Sequence, residues 1–132
     1  MKNLVNNLQD YIIEYIKNKG QNRELLGIQI SHYYDGDCIC LDATIKFFDE
    51  QINRLAKGQV INEYITLLDN DLLYEKKIIN NKDQELPNYL DTIDKKVIEI
   101  AQELVKQLER VKWNSSSNIA DEFYIELCLE CD

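Results

Sequence analysis

The chain has 132 residues, 45% of them apolar and 30% charged, which is the composition of one ordinary globular domain rather than a disordered or fibrous chain. A domain of this size buries roughly two-thirds of its unfolded surface, so it needs no metal or disulfide staple to fold. Its net charge of −9 argues against direct nucleic-acid binding, because phosphate contacts need lysine and arginine.

The first predicted element is a helix over residues 4–16. Leu4, Leu8, Tyr11, Ile12, Tyr15 and Ile16 share one face, and Gly20 offers the stop. Its opening, "MKNLVNNLQDYIIEYIK", carries Asn, Gln, Asp and Glu where a signal peptide needs an unbroken apolar stretch. No apolar run approaches the roughly 20 residues that span a bilayer. The expectation is a single cytoplasmic domain over residues 1–132.

Two alternating segments follow. In residues 26–34, Leu26, Ile28, Ile30 and His32 face one way, and Gly27, Gln29, Ser31 and Tyr33 the other. In residues 38–47, Ile39, Leu41, Ala43, Ile45 and Phe47 oppose Cys38, Cys40, Asp42, Thr44 and Lys46. Asp35-Gly36 between them is a strong hairpin signal. With those two residues at the centre of the turn, Tyr34 pairs with Asp37, Tyr33 with Cys38, His32 with Ile39, Ile30 with Leu41 and Ile28 with Ala43. A one-residue slip would send the apolar set to the wrong face.

Residues 49–57 and 59–69 read as helical, broken at Gly58. Val60, Ile61, Tyr64, Ile65 and Leu68 fit one helical face. "LLYEKKII" fits a strand or a ragged helical end, and "NNKDQELPN" a loop. Pro87 leads into the longest helix, residues 91–112, with Asp91 or Thr92 as N-cap and a stripe of Ile93, Val97, Ile100, Leu104, Leu108 and Val111. "NSSSN" is a turn. The closing "DEFYIELCLECD" alternates as a strand, with Phe123, Ile125, Leu127, Leu129 and Cys131 against Tyr124, Glu126, Cys128 and Glu130. The fold class is α+β: a small antiparallel sheet, hairpin plus C-terminal strand, with helices on one face and a polar outer face.

The stretch "HYYDGDCIC" invites three chemical readings. Asp35, Asp37 and Asp42 lie in or near the turn, but an EF-hand loop needs about twelve residues and a closing Glu. Cys38, Cys40, Cys128 and Cys131 form C-x-C and C-x-x-C, the raw material of a zinc site. Same-face strand neighbours sit about 6.6–6.8 Å apart. Two sulfurs on one zinc, each at about 2.3 Å, need to be within about 3.8 Å. Cys128 and Cys131 would moreover face opposite sides of a strand. Reduced structural cysteines are the expectation, with a disulfide between Cys128 and the hairpin as an alternative if the strands are neighbours. The third reading is a turn that carries tyrosines. Tyr33, Tyr34 and Tyr124 would gather on or beside the outer face, where tyrosine's apolar body and polar tip suit a partner.

His32 is the single candidate base for a nucleophilic scheme, and it lies on the inward face with Ser31 opposite. No Gly-rich phosphate loop and no H-E-x-x-H occur. Trp113 reads as a core cap. The expectation is a non-enzyme with no cofactor. Residues 67–132 carry 15 acidic against 8 basic groups, residues 1–66 only 9 against 7. Such a field speeds encounter with a basic protein.

The order of elements carries a resemblance. An N-terminal helix leads to strand, D-G and strand, then to a tyrosine-bearing middle, a long helix with a Trp after it, and "DEFYIELCLECD". This resembles, in outline, small bacterial immunity domains of the SMI1-like type, often encoded beside toxins. The resemblance implies a non-catalytic protein that binds and neutralises a partner. The expected function is thus an acidic inhibitor or immunity protein acting on a basic, toxin- or nuclease-like partner. Tyr33, Tyr34, Asp35, Asp37, Asp42, Tyr124, Glu126 and Glu130 are its candidate contacts. Two alternatives are a phage-encoded nucleic-acid mimic that inhibits a nuclease and a small metal- or redox-responsive protein built on the four cysteines. An open sheet edge would also permit a homodimer.

Overall fold

The structure is a computed structural model. It describes residues 2–20, 23–36, 38–48, 59–78, 89–113 and 118–129. The predicted helix at 49–57 and the loop at 80–88 lie outside them.

The elements run α1 (Lys2–Lys19), β1 (Glu24–Asp35), β2 (Cys38–Phe48), β3 (Val60–Leu68), α2 (Asn70–Glu75), α3 (Tyr89–Glu109) and β4 (Ile119–Cys128). The four strands form one sheet in the order β3-β2-β1-β4, with β1–β2 and β2–β3 antiparallel and β1–β4 parallel. The protein is therefore α+β, with helices packed against a mostly antiparallel sheet.

Helix α1 buries Val5, Leu8, Ile12 and Ile16. Its last turn closes where the Gly20 amide donates to the Ile16 carbonyl at 2.7 Å. A β-carbon at Gly20 would sit 2.5 Å from that carbonyl oxygen, so the stop needs glycine. Tyr11, placed on the apolar face by spacing, is 53% exposed, and Val5 fills the core instead. In α3, Ile93, Val97, Ile100, Leu104 and Leu108 are buried as their spacing predicts, joined by Ala101 and Val105. Asp91 lies inside the first turn rather than at the cap, since the helix begins at Tyr89. Its negative charge there suits the helix dipole.

The hairpin keeps its predicted faces but not its predicted register. Asp35 pairs with Cys38, Tyr33 with Cys40, His32 with Leu41, Ile30 with Ala43 and Ile28 with Ile45. The ladder is displaced by two residues from an Asp35-Gly36 centre. Side chains alternate with period two, so a two-residue shift leaves every residue on its face. Gly36, at φ +63°, supplies the left-handed conformation that starts the turn. A bulge between Leu25 and Gly27 moves Leu25 to the core in place of Leu26.

Residues 60–68 correct the helical reading. They form β3, paired along β2 from Phe48↔Val60 to Asp42↔Thr66. The 60/61/64/65/68 spacing mimics a helix. However, Ile61, Glu63, Ile65 and Leu67 also alternate with Val60, Asn62, Tyr64 and Thr66. The bare edge of β2 needs a hydrogen-bonding partner, and β-branched and aromatic residues suit that role. Asp69 then caps α2, its side chain accepting from the Leu72 amide at 2.9 Å. "LLYE" is thus helical.

β4 runs parallel to β1. The return of the chain through α3 brings Asn118 beside Leu25, whose amide donates to the Asn118 carbonyl at 2.7 Å, so both strands leave from the same end. Trp113 caps the core as expected. It is buried, donates from Nε1 to the Leu108 carbonyl at 2.9 Å and tilts against Phe123.

The β1–β4 seam rests on one close approach. A β-carbon added at Gly27 would lie 2.7 Å from Cζ of Tyr124 on the neighbouring strand. Glycine leaves room for the ring to lie over the backbone. Gly27→Ala is expected to cost about 1–3 kcal/mol in urea unfolding, as overpacking does. In a Tyr124→Ala background the cost should vanish or reverse, because the obstructing ring is gone. Equal cost in both backgrounds would contradict this packing.

Candidate functional site

Among the described residues, helices cover one face of the sheet, and none lies over the other. On the open face β1 places Glu24, Gly27, Gln29, Ser31, Tyr33 and Asp35. β2 places Cys38, Cys40, Asp42, Thr44, Lys46 and Phe48 there, and β3 places Asn62, Tyr64 and Thr66. β4 contributes Tyr124, Glu126 and Cys128. Among the ladder-paired residues the charges on this face are Glu24, Asp35, Asp42 and Glu126 against Lys46. The Lys46 ammonium lies 5.7 Å from the Tyr124 ring centre.

The predicted contacts are not one cluster. Tyr33 and Tyr124 share the open face. Tyr124 sits opposite Gly27, six residues along β1 from Tyr33, or roughly 20 Å. Tyr34 points to the other face, because strand neighbours alternate. There its ring meets His32 edge-on, 5.3 Å away at 75°. Asp35 and Glu126 are exposed. Asp37 and Glu130 lie outside the described residues. Tyr64 is the contact that the sequence reading missed. It is 69% exposed on the open face, the most exposed of the large apolar or aromatic side chains among the described residues. Reading residues 60–68 as a strand would have found it.

Polar order on this face centres on β2. Tyr33 Oη donates to Asp42 Oδ2 at 3.0 Å. Burial pushes the Asp42 carboxyl above the ordinary range, and the Tyr33 hydrogen bond opposes that shift. Tyr33 itself is raised by burial and by Asp42. Asp42 Oδ1 is buried and finds no hydrogen-bond partner among the described residues. Cys38 and Cys40 are free thiols with sulfurs 3.6 Å apart. Burial, then the Cys38 thiol, pushes Cys40 up to about 11, so it stays protonated at neutral pH. The two side chains lean together, which overrides the wide strand spacing that argued against shared ligation. Cys128 is disulfide-bonded, and since both hairpin cysteines are free, the hairpin is not its partner. The four-cysteine set is therefore not assembled, and Cys131 lies outside the described residues. No group of three or more His, Cys, Asp or Glu that could hold a metal occurs among the described residues.

Behind the sheet, His32 is fully buried, and its Nε2 lies 2.5 Å from Asp94 Oδ1 on α3. The ring N–H donates to the carboxylate and ties the hairpin to the helix. The sheet stands between this imidazole and the thiols of Cys38 and Cys40, so the two do not form a nucleophile–base pair. No described helix is long and apolar enough to cross a membrane.

No protein family, curated protein or solved structure matches this chain.

Two measurements check this arrangement. Asp94→Ala should destabilise the fold by about 1–3 kcal/mol, the cost of a buried donor left unpaired, and Asp94→Asn should recover most of it. Equal loss in both would contradict the hydrogen bond. Asp42 gives a pH test. A carboxyl whose folded pKa exceeds its unfolded value holds its proton more tightly when folded. Its contribution is therefore full below the unfolded value and is lost as pH rises through the raised one. Asp42→Asn stays neutral and still accepts from Tyr33. Its stability relative to wild type should improve as pH rises from about 3 to about 6, across the carboxyl range. A falling difference would contradict the raised pKa.

Proposed function

We propose that this protein is a non-catalytic binding module, an acidic inhibitor of the immunity type that neutralises a basic partner protein through the open face of its sheet. The observation that carries this reading is the pairing of a face that no described helix covers with its side chains. Tyr33, Tyr64 and Tyr124 offer amphipathic contact area at low conformational cost, and Glu24, Asp35, Asp42 and Glu126 outnumber Lys46. The chain's charge of −9 adds a long-range attraction that a basic protein would feel before contact.

In this mechanism the carboxylates set the encounter rate, and the tyrosines set the lifetime of the complex. Gln29 and Ser31, on the inner strand β1, would lie within the contact, and Thr66, on the edge strand β3, at its rim. The buried His32–Asp94 pair holds the hairpin on α3 and so keeps the face in place before the partner arrives.

Tagged protein should capture a basic protein from its source cells at low salt and release it at high salt. With that partner in hand, Glu126→Lys should slow association at least about tenfold at low salt, as rim charges do. Tyr64→Ala should mainly speed dissociation, and cost about 1–2 kcal/mol of affinity. A complex that ignores salt and both substitutions would refute the reading.

A further inference from the structure

We propose that Cys38 and Cys40 form a two-thiolate site for a soft, thiophilic metal or metalloid ion, set in the open face of the sheet. Their sulfurs lie 3.6 Å apart as free thiols, at the end of β2 next to the hairpin turn. An ion held at about 2.3 Å from each sulfur would subtend an S–ion–S angle of roughly 100° across that 3.6 Å gap, close to tetrahedral. The pair is thus already spaced as two corners of a coordination sphere. A bridging atom fits the gap without moving the strand. A direct disulfide would need the sulfurs to close by roughly 1.5 Å, between residues whose strand spacing is near the limit for such a bond.

The surroundings favour a soft ion over a hard one. Hard cations need several oxygen ligands, and the described residues gather no set of three or more ligating groups here. Thiolates select soft ions, which accept low coordination by sulfur. Cys38 is half-buried and gives access from solvent, whereas Cys40 is buried and gives a dry second ligand. Tyr33 and the orphaned Asp42 Oδ1 sit beside Cys40 on the same face and line its polar side. Cys128 is held in its own disulfide and does not compete. No described helix covers the site.

Phenylarsine oxide is the probe. It condenses with two thiols: two S–H bonds and the arsenic–oxygen bond break, two As–S bonds form, and one water leaves. No electrons are transferred. Wild-type protein with the Cys128 disulfide intact should take up one equivalent, seen by intact mass as arsenical minus water. Cys38→Ser and Cys40→Ser should each weaken binding by at least about a hundredfold, the loss of one arm of a chelate. Cys38→Ala, at the half-buried position, guards against misfolding at buried Cys40, with far-ultraviolet circular dichroism as the check. Uptake by neither sulfur, or binding within about threefold of wild type in Cys38→Ser, would overturn the proposal. Uptake that survives in the double serine variant would assign it elsewhere and would overturn it equally. The test needs no partner protein, so it stands or falls apart from the inhibitor reading.

Discussion

A β-strand turns alternate side chains to opposite faces, and in this protein the described helices cover only one of them. That constraint decides the rest. One face must supply an unbroken apolar layer to meet α1 and α3. Ile28, Ile30, Ile39, Leu41, Ala43, Ile45 and Phe47 do so, each at 1% exposure or less. At roughly 1.5–3 kcal/mol for each large apolar side chain removed from water, this layer is the main driving force for the fold. The other face is free of the packing requirement, and it is there that cysteines, carboxylates and tyrosines collect.

The fully buried polar side chain on the covered face is His32. A buried imidazole among aliphatic side chains is tolerated only with a partner, and Asp94 provides one from α3. The contact is directional where the surrounding apolar packing is not. It fixes how the hairpin sits on the helix, and hence the plane of the open face. At the opposite end, Gly27 lets the Tyr124 ring lie over β1 and seats the parallel edge strand. The two features hold the two ends of one surface.

The hairpin's faces were legible because alternation and turn chemistry agreed over two long strands. Its register was legible only to within two residues, since such a shift changes no side chain's face. The β3 strand was not legible. Its apolar residues fit both periods, and what decides between them is the bare edge of β2, a tertiary fact. The parallel direction of β4 is likewise set by where α3 delivers the chain. The site suffered in the same way. Tyr64 was hidden by the helical reading, Tyr34 fell on the covered face by simple alternation, and Asp94 gave no signal as His32's partner from 62 residues away. The sulfur–sulfur distance was misjudged because backbone spacing bounds where β-carbons lie, whereas side-chain rotamers decide where sulfurs meet.

The open face as the partner-binding surface is the central claim, and side-chain footprinting of the protein alone and in complex with its captured basic partner tests it most directly. Tyr64 on the open face and Tyr11 on α1 are both largely exposed in the free protein, at 69% and 53%. The account predicts that hydroxyl-radical labelling of Tyr64 falls sharply in the complex, with smaller protection at Tyr33 and Tyr124, and that Tyr11 is labelled as before. Protection of Tyr11 with Tyr64 unchanged would place the partner on the helical side and contradict the account.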